Sequence, residues 1–244
     1  MPATVRSVNS AQGRRDDGPA PEAIGAFFDI DHTVLEINSG TQWVRYQWRS
    51  GQMSIPDLMR ALWWTGQYRF GWLDFSAMAA RVITQYNGQA VEPIEREVEE
   101  WFAREVAWAI CTQARARIEE HRNKGHVVAL LTSATRFLSR PVAQALDIEH
   151  VLCTEVEEVD GCFTGKYLPP ACYGPGKVDK AEAFAKIHSI GLAESYFYSD
   201  SVSDLPMLER VGNPRVINPD PRLRRRAKDL GWSVETWTAP TKDV

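Results

Sequence analysis

The sequence predicts an α/β fold, a doubly wound and mostly parallel sheet with an inserted helical cap domain. Three observations predict it. Short apolar runs cut off by polar residues recur along the chain, helical patterns separate several of them, and one long stretch holds helical patterns alone.

The first run, Ala26-Phe27-Phe28-Asp29-Ile30, is what a strand buried on both faces of a parallel sheet requires. Residues 127–132, 151–154, 196–199 and 215–218 fit further short strands. Between them, Ile110, Ala114, Ile118 and His121 share one helical face ahead of a stop at Gly125. Val178, Ala181, Ala185 and His188 share another ahead of Gly191. Both histidines read as packed or solvated helix residues and not as ligands. Asp220-Pro221 gives an N-cap followed by proline at the first helical position, opening a helix that Gly231 ends. Its Arg224-Arg225-Arg226 run reads as a solvated face.

Residues 38–106 break this rhythm with helical patterns over 41–50, 54–67, 74–86 and 91–107 and no convincing strand. They are assigned as a helical cap inserted into an α/β core made of residues 23–37 and 107–244. Seven of the nine tryptophans fall in this stretch or at its margin: Trp43, Trp48, Trp63, Trp64, Trp72, Trp101 and Trp108. The simpler reading is a bundle that fills its own core with aromatics. The sharper one is a pocket wall or a lipid-touching surface, edged by Trp63-Trp64 and Tyr68-Arg69-Phe70. Further on, residues 155–165 alternate around Asp160-Gly161, a hairpin signal.

Composition bounds the function. The 244 residues are 44% hydrophobic and 25% charged, the balance of an ordinary globular protein with ample core. A formal charge of −4 gives no electrostatic reason for a nucleic-acid partner. Nowhere does an apolar run reach the length of a membrane span. Residues 1–22 read as a disordered leader lacking the apolar segment of a secretory signal, so the expected location is cytoplasmic, and membrane association through the Trp-rich cap is possible without being expected. Cys111, Cys153, Cys162 and Cys172 are scattered and fit free thiols better than a zinc site or a disulfide framework.

Four polar clusters follow predicted strands, and the carboxyl ends of the strands are where open α/β sheets bind ligands. Asp29-Ile30-Asp31-His32-Thr33 sets two carboxylates two residues apart, able to face one site. Thr132-Ser133-Ala134-Thr135 offers hydroxyls and backbone N–H groups at a strand-to-helix junction, which suits an anion. Gly174-Pro175-Gly176-Lys177 brings a cation to a helix start, and Ser199-Asp200-Ser201-Val202-Ser203-Asp204 adds two more carboxylates. Asp29, Asp31, Asp200 and Asp204 gathered in a partly dry cleft repel one another unless their pKa values rise or a cation neutralises them. An all-oxygen donor set suits a hard ion, Mg²⁺ above all where a phosphate completes the shell. One carboxylate can then attack phosphorus while a neighbour moves the proton.

In their order and context these clusters, with Asn218-Pro219-Asp220-Pro221-Arg222-Leu223, resemble the haloacid dehalogenase superfamily of aspartate-nucleophile phosphohydrolases, specifically its phosphoserine-phosphatase-like branch. The resemblance runs from about residue 26 to 232. It implies that Asp29 is the nucleophile forming an aspartyl-phosphate and that Asp31 protonates the leaving alcohol and later activates water. It implies that Ser133 and Lys177 bind the phosphate, and that the Asp29 carboxylate, the Asp31 carbonyl and Asp200 hold Mg²⁺, with Asp204 in or just behind that shell. Asp31 favours a phosphatase, because the dehalogenases and the P-type ATPases lack a carboxylate there. The expected enzyme is a phosphoric monoester hydrolase acting on a small phosphorylated metabolite, with phosphoserine and histidinol phosphate first in line.

The sequence departs from that pattern twice. His32 stands where a small residue is usual, and is read either as a substrate contact or as a packed loop residue. Asn38 stands where phosphoserine phosphatases of the branch carry the Glu that pairs with the serine ammonium, with Glu36 two residues away. A lipid-directed phosphatase is the alternative prompted by the Trp-rich cap. A receiver-type phosphorylation switch also uses an acidic Mg²⁺ cluster, an Asp, a Ser or Thr and a Lys, but it is about half this length and carries its acceptor after a middle strand.

Overall fold

The computed structural model describes residues 22–57, 59, 63 and 75–241. Eight strands are present among them: β1 (Gly25–Phe28), β2 (Val127–Thr135), β3 (His150–Thr154), β4 (Val156–Val159), β5 (Cys162–Tyr167), β6 (Tyr196–Ser199), β7 (Asn213–Ile217) and β8 (Val234–Glu235). Six form one sheet in the order β3-β2-β1-β6-β7-β8, every pairing parallel. This is the doubly wound sheet that the sequence predicts. Because β1 lies between β2 and β6, the connections diverge on either side of it, and the carboxyl end of β1 is the switch point where such sheets open a ligand crevice.

The apolar run at β1 divides its side chains between two cores. Ala26, Phe28 and Ile30 join the cluster that includes Ile118, Leu130 and Tyr198, whereas Phe27 joins the opposite one with Leu131, Phe184, Phe197 and Leu223. All are buried, so neighbouring residues of a strand each face a packed layer. The helix Thr112–Asn123 covers one face with Ala114, Ile118 and His121, and Gly125 turns the chain at φ 73°. On the other face lies Pro175–His188, which ends at Ser189 in the left-handed conformation, two residues before the Gly191 stop that the sequence suggests. Asp220 caps Pro221–Leu230 by accepting from the backbone N–H groups of Arg222 and Leu223, and Gly231 closes that helix at φ 68°.

In the inserted region, helices Ser39–Arg49, Phe75–Thr84 and Val91–Trp101 are present, the last continuing into a π-turn over Phe102–Val106 and a 3₁₀ turn over Ala107–Ala109. The helix expected over 54–67 lies mostly outside the described residues, as do Trp64, Trp72 and Tyr68-Arg69-Phe70 and the proposed leader up to residue 21. Trp43 and Trp101 are buried with ring centroids 5.1 Å apart, and the Trp43 indole N–H donates to the Tyr86 hydroxyl at 2.9 Å, so these aromatics pack inside the insertion, in a cluster continuous with the one on a face of the sheet and not in a separate core. Trp48, Trp63 and Trp108 are exposed.

The insertion leaves and rejoins the sheet through one seam. Leu35 and Ile110 form an antiparallel bridge, Glu36 N–H donates to Ala109 O, and Cys111 N–H donates to Val34 O. The β4–β5 hairpin, turned at Asp160-Gly161, packs on this insertion: Gly88 N–H donates to Phe163 O, Phe163 N–H to Gln89 O, and Val91 N–H to Gly161 O. Among the described residues no helix is long and apolar enough to cross a membrane.

Candidate active site

Asp29 is the first residue beyond β1, and its N–H donates to Tyr198 O, continuing the ladder to β6. Its carboxylate is thereby held at the switch point, 7% exposed. Lys177, at the start of the Pro175–His188 helix, reaches in with its Nζ 3.0 Å from Asp29 Oδ1 and 2.7 Å from Asp204 Oδ2. A lysine in the first turn of a helix is opposed by the macrodipole, and at 1% exposure it has no water to offset that cost. The two carboxylates compensate. Burial pulls the Lys177 pKa down, but Asp204 and Asp29 outweigh it and push the group above the usual lysine range. The side chain is a fixed positive charge.

Asp204 is fully engaged on one oxygen, since Oδ2 accepts from both Lys177 Nζ and Ser199 Oγ at 2.6 Å. Asp200 follows β6 directly and is half-buried. Burial is the first reason its pKa is raised, with Asp29 and Asp204 adding repulsion. Asp29 is raised for the same first reason, with Lys177 pulling the other way. Three carboxylates, those of Asp29, Asp200 and Asp204, thus share one lysine. The loop is braced from below: Asp220 Oδ2 accepts from Val202 N–H at 2.7 Å while Asp220 N–H donates to Asp200 O.

Asp31 points its carboxyl toward the insertion. Oδ1 accepts from Ser39 N–H at 2.8 Å and Oδ2 from Asn38 Nδ2 at 2.9 Å. Burial raises its pKa, and the bond from Ser39 opposes that shift. Ser133 lies inside β2, which runs on to Thr135, so the strand-to-helix junction falls at Arg136, later than the sequence suggests. Its carbonyl accepts from Thr154 Oγ1 at 3.1 Å, tying this segment to β3. Thr132 Oγ1 accepts from Ala134 N–H at 3.2 Å, and the buried Thr135 hydroxyl has no hydrogen-bond partner among the described residues.

His32 is exposed at φ 56°, its ring Nδ1 3.3 Å from Glu36 O and its carbonyl accepting from Asn218 Nδ2. That left-handed backbone is one glycine adopts freely, and the contacts are those of a loop residue. Glu36 Oε2 accepts from Ala239 N–H and so faces the C-terminal segment. Sequence reasoning did not find the bracing roles of Asn218 and Asp220 or the contact of Asn38 with Asp31. An asparagine ahead of a helical pattern is a signal for an N-cap, but not for that contact.

No three His, Cys, Asp or Glu side chains among the described residues converge closely enough to hold an ion by themselves. Asp29 Oδ1 is buried without a well-aligned hydrogen bond, however, and Asp29 and Asp200 are both short of positive charge. Two carboxylates and a carbonyl, with the remaining positions left to water and substrate, are a donor set that fits Mg²⁺.

The site thus sets a buried aspartate at the switch point, salt-bridged to a buried lysine with further carboxylates close by. Residues 26–209 match the model of the haloacid dehalogenase-like hydrolases, and the chain belongs to that family. It is 29% identical to the phosphoserine phosphatase SerB1 of Mycobacterium tuberculosis over 99% of this chain and 79% of that one. It is 28% identical to the histidinol-phosphatase of Neisseria meningitidis, over 86% of this chain and 96% of that one. A crystal structure of a protein of unknown function from Bordetella pertussis superposes with a TM-score of 0.81 at 31% identity, covering 87% of this chain and 98% of that one. A phosphoserine phosphatase bearing a phospho-aspartyl analogue shares the fold at a TM-score of 0.64 and 17% identity, over 88% and 93% of the two chains. Phosphatases of this family generally use Mg²⁺.

Proposed function

We propose that this chain is a Mg²⁺-dependent phosphomonoesterase that hydrolyses a small phosphorylated metabolite through an aspartyl-phosphate at Asp29. The buried ion-pair chain Asp29–Lys177–Asp204 at the carboxyl end of β1 is the observation that carries the reading. An Asp29 oxygen attacks phosphorus and the P–O ester bond breaks, its electron pair going to the leaving alkoxide. Asp31 gives that oxygen a proton and so leaves as carboxylate. A water molecule then attacks the phosphorus, loses its proton to Asp31, and releases inorganic phosphate with Asp29 regenerated. Lys177 and the Ser133 hydroxyl hold the phosphoryl oxygens, and Lys177 opposes the burial that raises the Asp29 pKa. The Asp29 and Asp200 carboxylates and the Asp31 carbonyl would hold Mg²⁺, with Asp204 behind them because its Oδ2 already serves Lys177 and Ser199. Held there, the ion would supply positive charge that offsets the negative charge of the phosphoryl oxygens. Residues 38–106 act as the cap that excludes water and selects the substrate, and the hairpin packed on them belongs with the cap.

Phosphoserine and histidinol phosphate head the substrate panel because of the relatives' activities. Phosphate release with Mg²⁺ and with chelator, in wild type and Asp29→Asn, tests the reading. Turnover of one metabolite that chelator and the substitution both abolish supports it, and full turnover by Asp29→Asn contradicts it. A lipid phosphate is the second reading, favoured by Ile55, Met59 and Trp63, which recur at four-residue spacing and are 67%, 61% and 62% exposed. Absence of cosedimentation with anionic vesicles would remove it.

A further inference from the structure

Asn38 occupies a position that an N-cap alone does not explain. The helix Ser39–Arg49 begins there, and the Asn38 side-chain Oδ1 accepts from Thr41 N–H at 2.8 Å and Thr41 Oγ1 at 2.9 Å. A cap needs only that acceptor, and Asp, Ser or Thr supplies it as well as Asn. The other end of the amide does separate work: Nδ2 donates to Asp31 Oδ2 at 2.9 Å, while the next backbone N–H, that of Ser39, donates to Asp31 Oδ1 at 2.8 Å. Asp lacks the donor, Ser and Thr lack the reach, and Gln places its oxygen too far out to cap the helix. Carboxamide geometry at this one chain length meets both demands.

From this geometry we propose that Asn38 is a positioning residue for proton transfer by Asp31, and that the inserted helical region thereby orients the acid of a site whose other groups belong to the α/β core. The inference rests on the roles given above to Asp29 and Asp31. Two donors from the start of one helix grip both carboxyl oxygens, fixing the plane of the group as well as its place. Among the described residues, Asp29, Lys177 and Asp204 are tied to one another and to Ser199 within the core, whereas both carboxyl bonds of Asp31 come from the insertion. The same arrangement accounts for the missing glutamate. An amide bound at both ends offers no free charge to a substrate ammonium, and recognition of an amino-bearing substrate falls to other residues.

The proton matters in proportion to how poor the leaving group is. An alkoxide departs only with a proton, whereas 4-nitrophenolate departs largely without one. The test compares glycerol 2-phosphate with 4-nitrophenyl phosphate in wild type, Asn38→Ser and Asn38→Asp. Both variants keep an acceptor for the N-cap, and both lose the donor to Asp31. Removing a hydrogen bond to a charged group corresponds to about a tenfold loss or more, so kcat on glycerol 2-phosphate falls at least about tenfold, with a smaller change in KM. The preference for the aryl ester rises by a similar factor. Asn38→Asp is the worse of the two, because it sets a second carboxylate against Asp31. Equal losses on both esters overturn the inference, and so does Asn38→Asp restoring alkyl turnover, which would make the cap the whole role of the residue. Retention of turnover in Asp29→Asn would instead sink the reading of the site itself.

Discussion

Replacing Lys177 by Met removes a charge whose stem is fully packed, leaving the apolar part of the side chain nearly unchanged in volume. In the native protein the ammonium lies 3.0 Å from Asp29 and 2.7 Å from Asp204, and all three side chains are at least nine-tenths buried. At an effective dielectric of about 20, each contact is worth roughly 6 kcal/mol of attraction, from which the cost of desolvating the ammonium must be taken. Breaking a buried pair by deleting one partner typically costs about 3–5 kcal/mol, and that is the loss expected at pH 7.5 in chelator. The pH dependence has a definite sign. Without Lys177 the burial that already raises the Asp29 pKa is unopposed, so the native state binds more protons than the unfolded chain and loses stability as pH rises. The deficit of the variant is therefore larger at pH 7.5 than at pH 5. Urea unfolding followed by tryptophan fluorescence at the two pH values measures it. A loss under about 1 kcal/mol at pH 7.5, or one that does not shrink at pH 5, refutes the reasoning.

Mg²⁺ is expected to raise the unfolding midpoint of wild type by binding the native state and to do so less in Asp200→Asn; an equal increment in both removes Asp200 from the ion site. His121 is buried between the Tyr198 hydroxyl and His126, each 2.8 Å away, and burial first, then His126, lowers its pKa to about 4. Because the unfolded chain protonates first, this residue's contribution is intact above about pH 6.5 and is lost toward pH 4, up to roughly 3 kcal/mol. His121→Phe flattens that part of the stability profile, and an unchanged slope contradicts the assignment. Burial pushes the thiols of Cys111 and Cys172 up to about 11 and 12, and Cys111, Cys153 and Cys172 are all buried, whereas Cys162 is half-buried. Ellman's reagent titrates one thiol rapidly in the native protein and the other three only on unfolding; a second fast thiol argues against the packing described.

The sheet was legible because its strands are buried on both sides. Ala26-Phe27-Phe28 and the run beginning at Val127 cannot be amphipathic elements, and the helices between them are punctuated by Gly125, Gly231 and the Asp220-Pro221 cap. β8 was missed because Val234–Glu235 is two residues long and carries no pattern of its own. The four acidic residues and Lys177 were placed by motif order and given roles by the resemblance, but whether Asp204 stands in the ion's shell or just behind it stayed open, since that depends on which of its oxygens meets Lys177 and Ser199. Asn38 read as a missing glutamate, because spacing records what a position lacks and not that its amide reaches Asp31. The hairpin was recognised from Asp160-Gly161, yet its docking on residues 88–91 is a long-range backbone pairing that no local signal encodes.

The central claim is that phosphorus passes through Asp29. Rapid acid quench of the enzyme during turnover of its best substrate, followed by peptide mass spectrometry, tests it directly. A phosphoryl group on the peptide containing Asp29, present in wild type, absent in Asp29→Asn and more abundant when Asp31 is replaced by Asn, is the predicted result. Steady turnover with that peptide unmodified, or a phosphoryl group carried on any other residue, would contradict it.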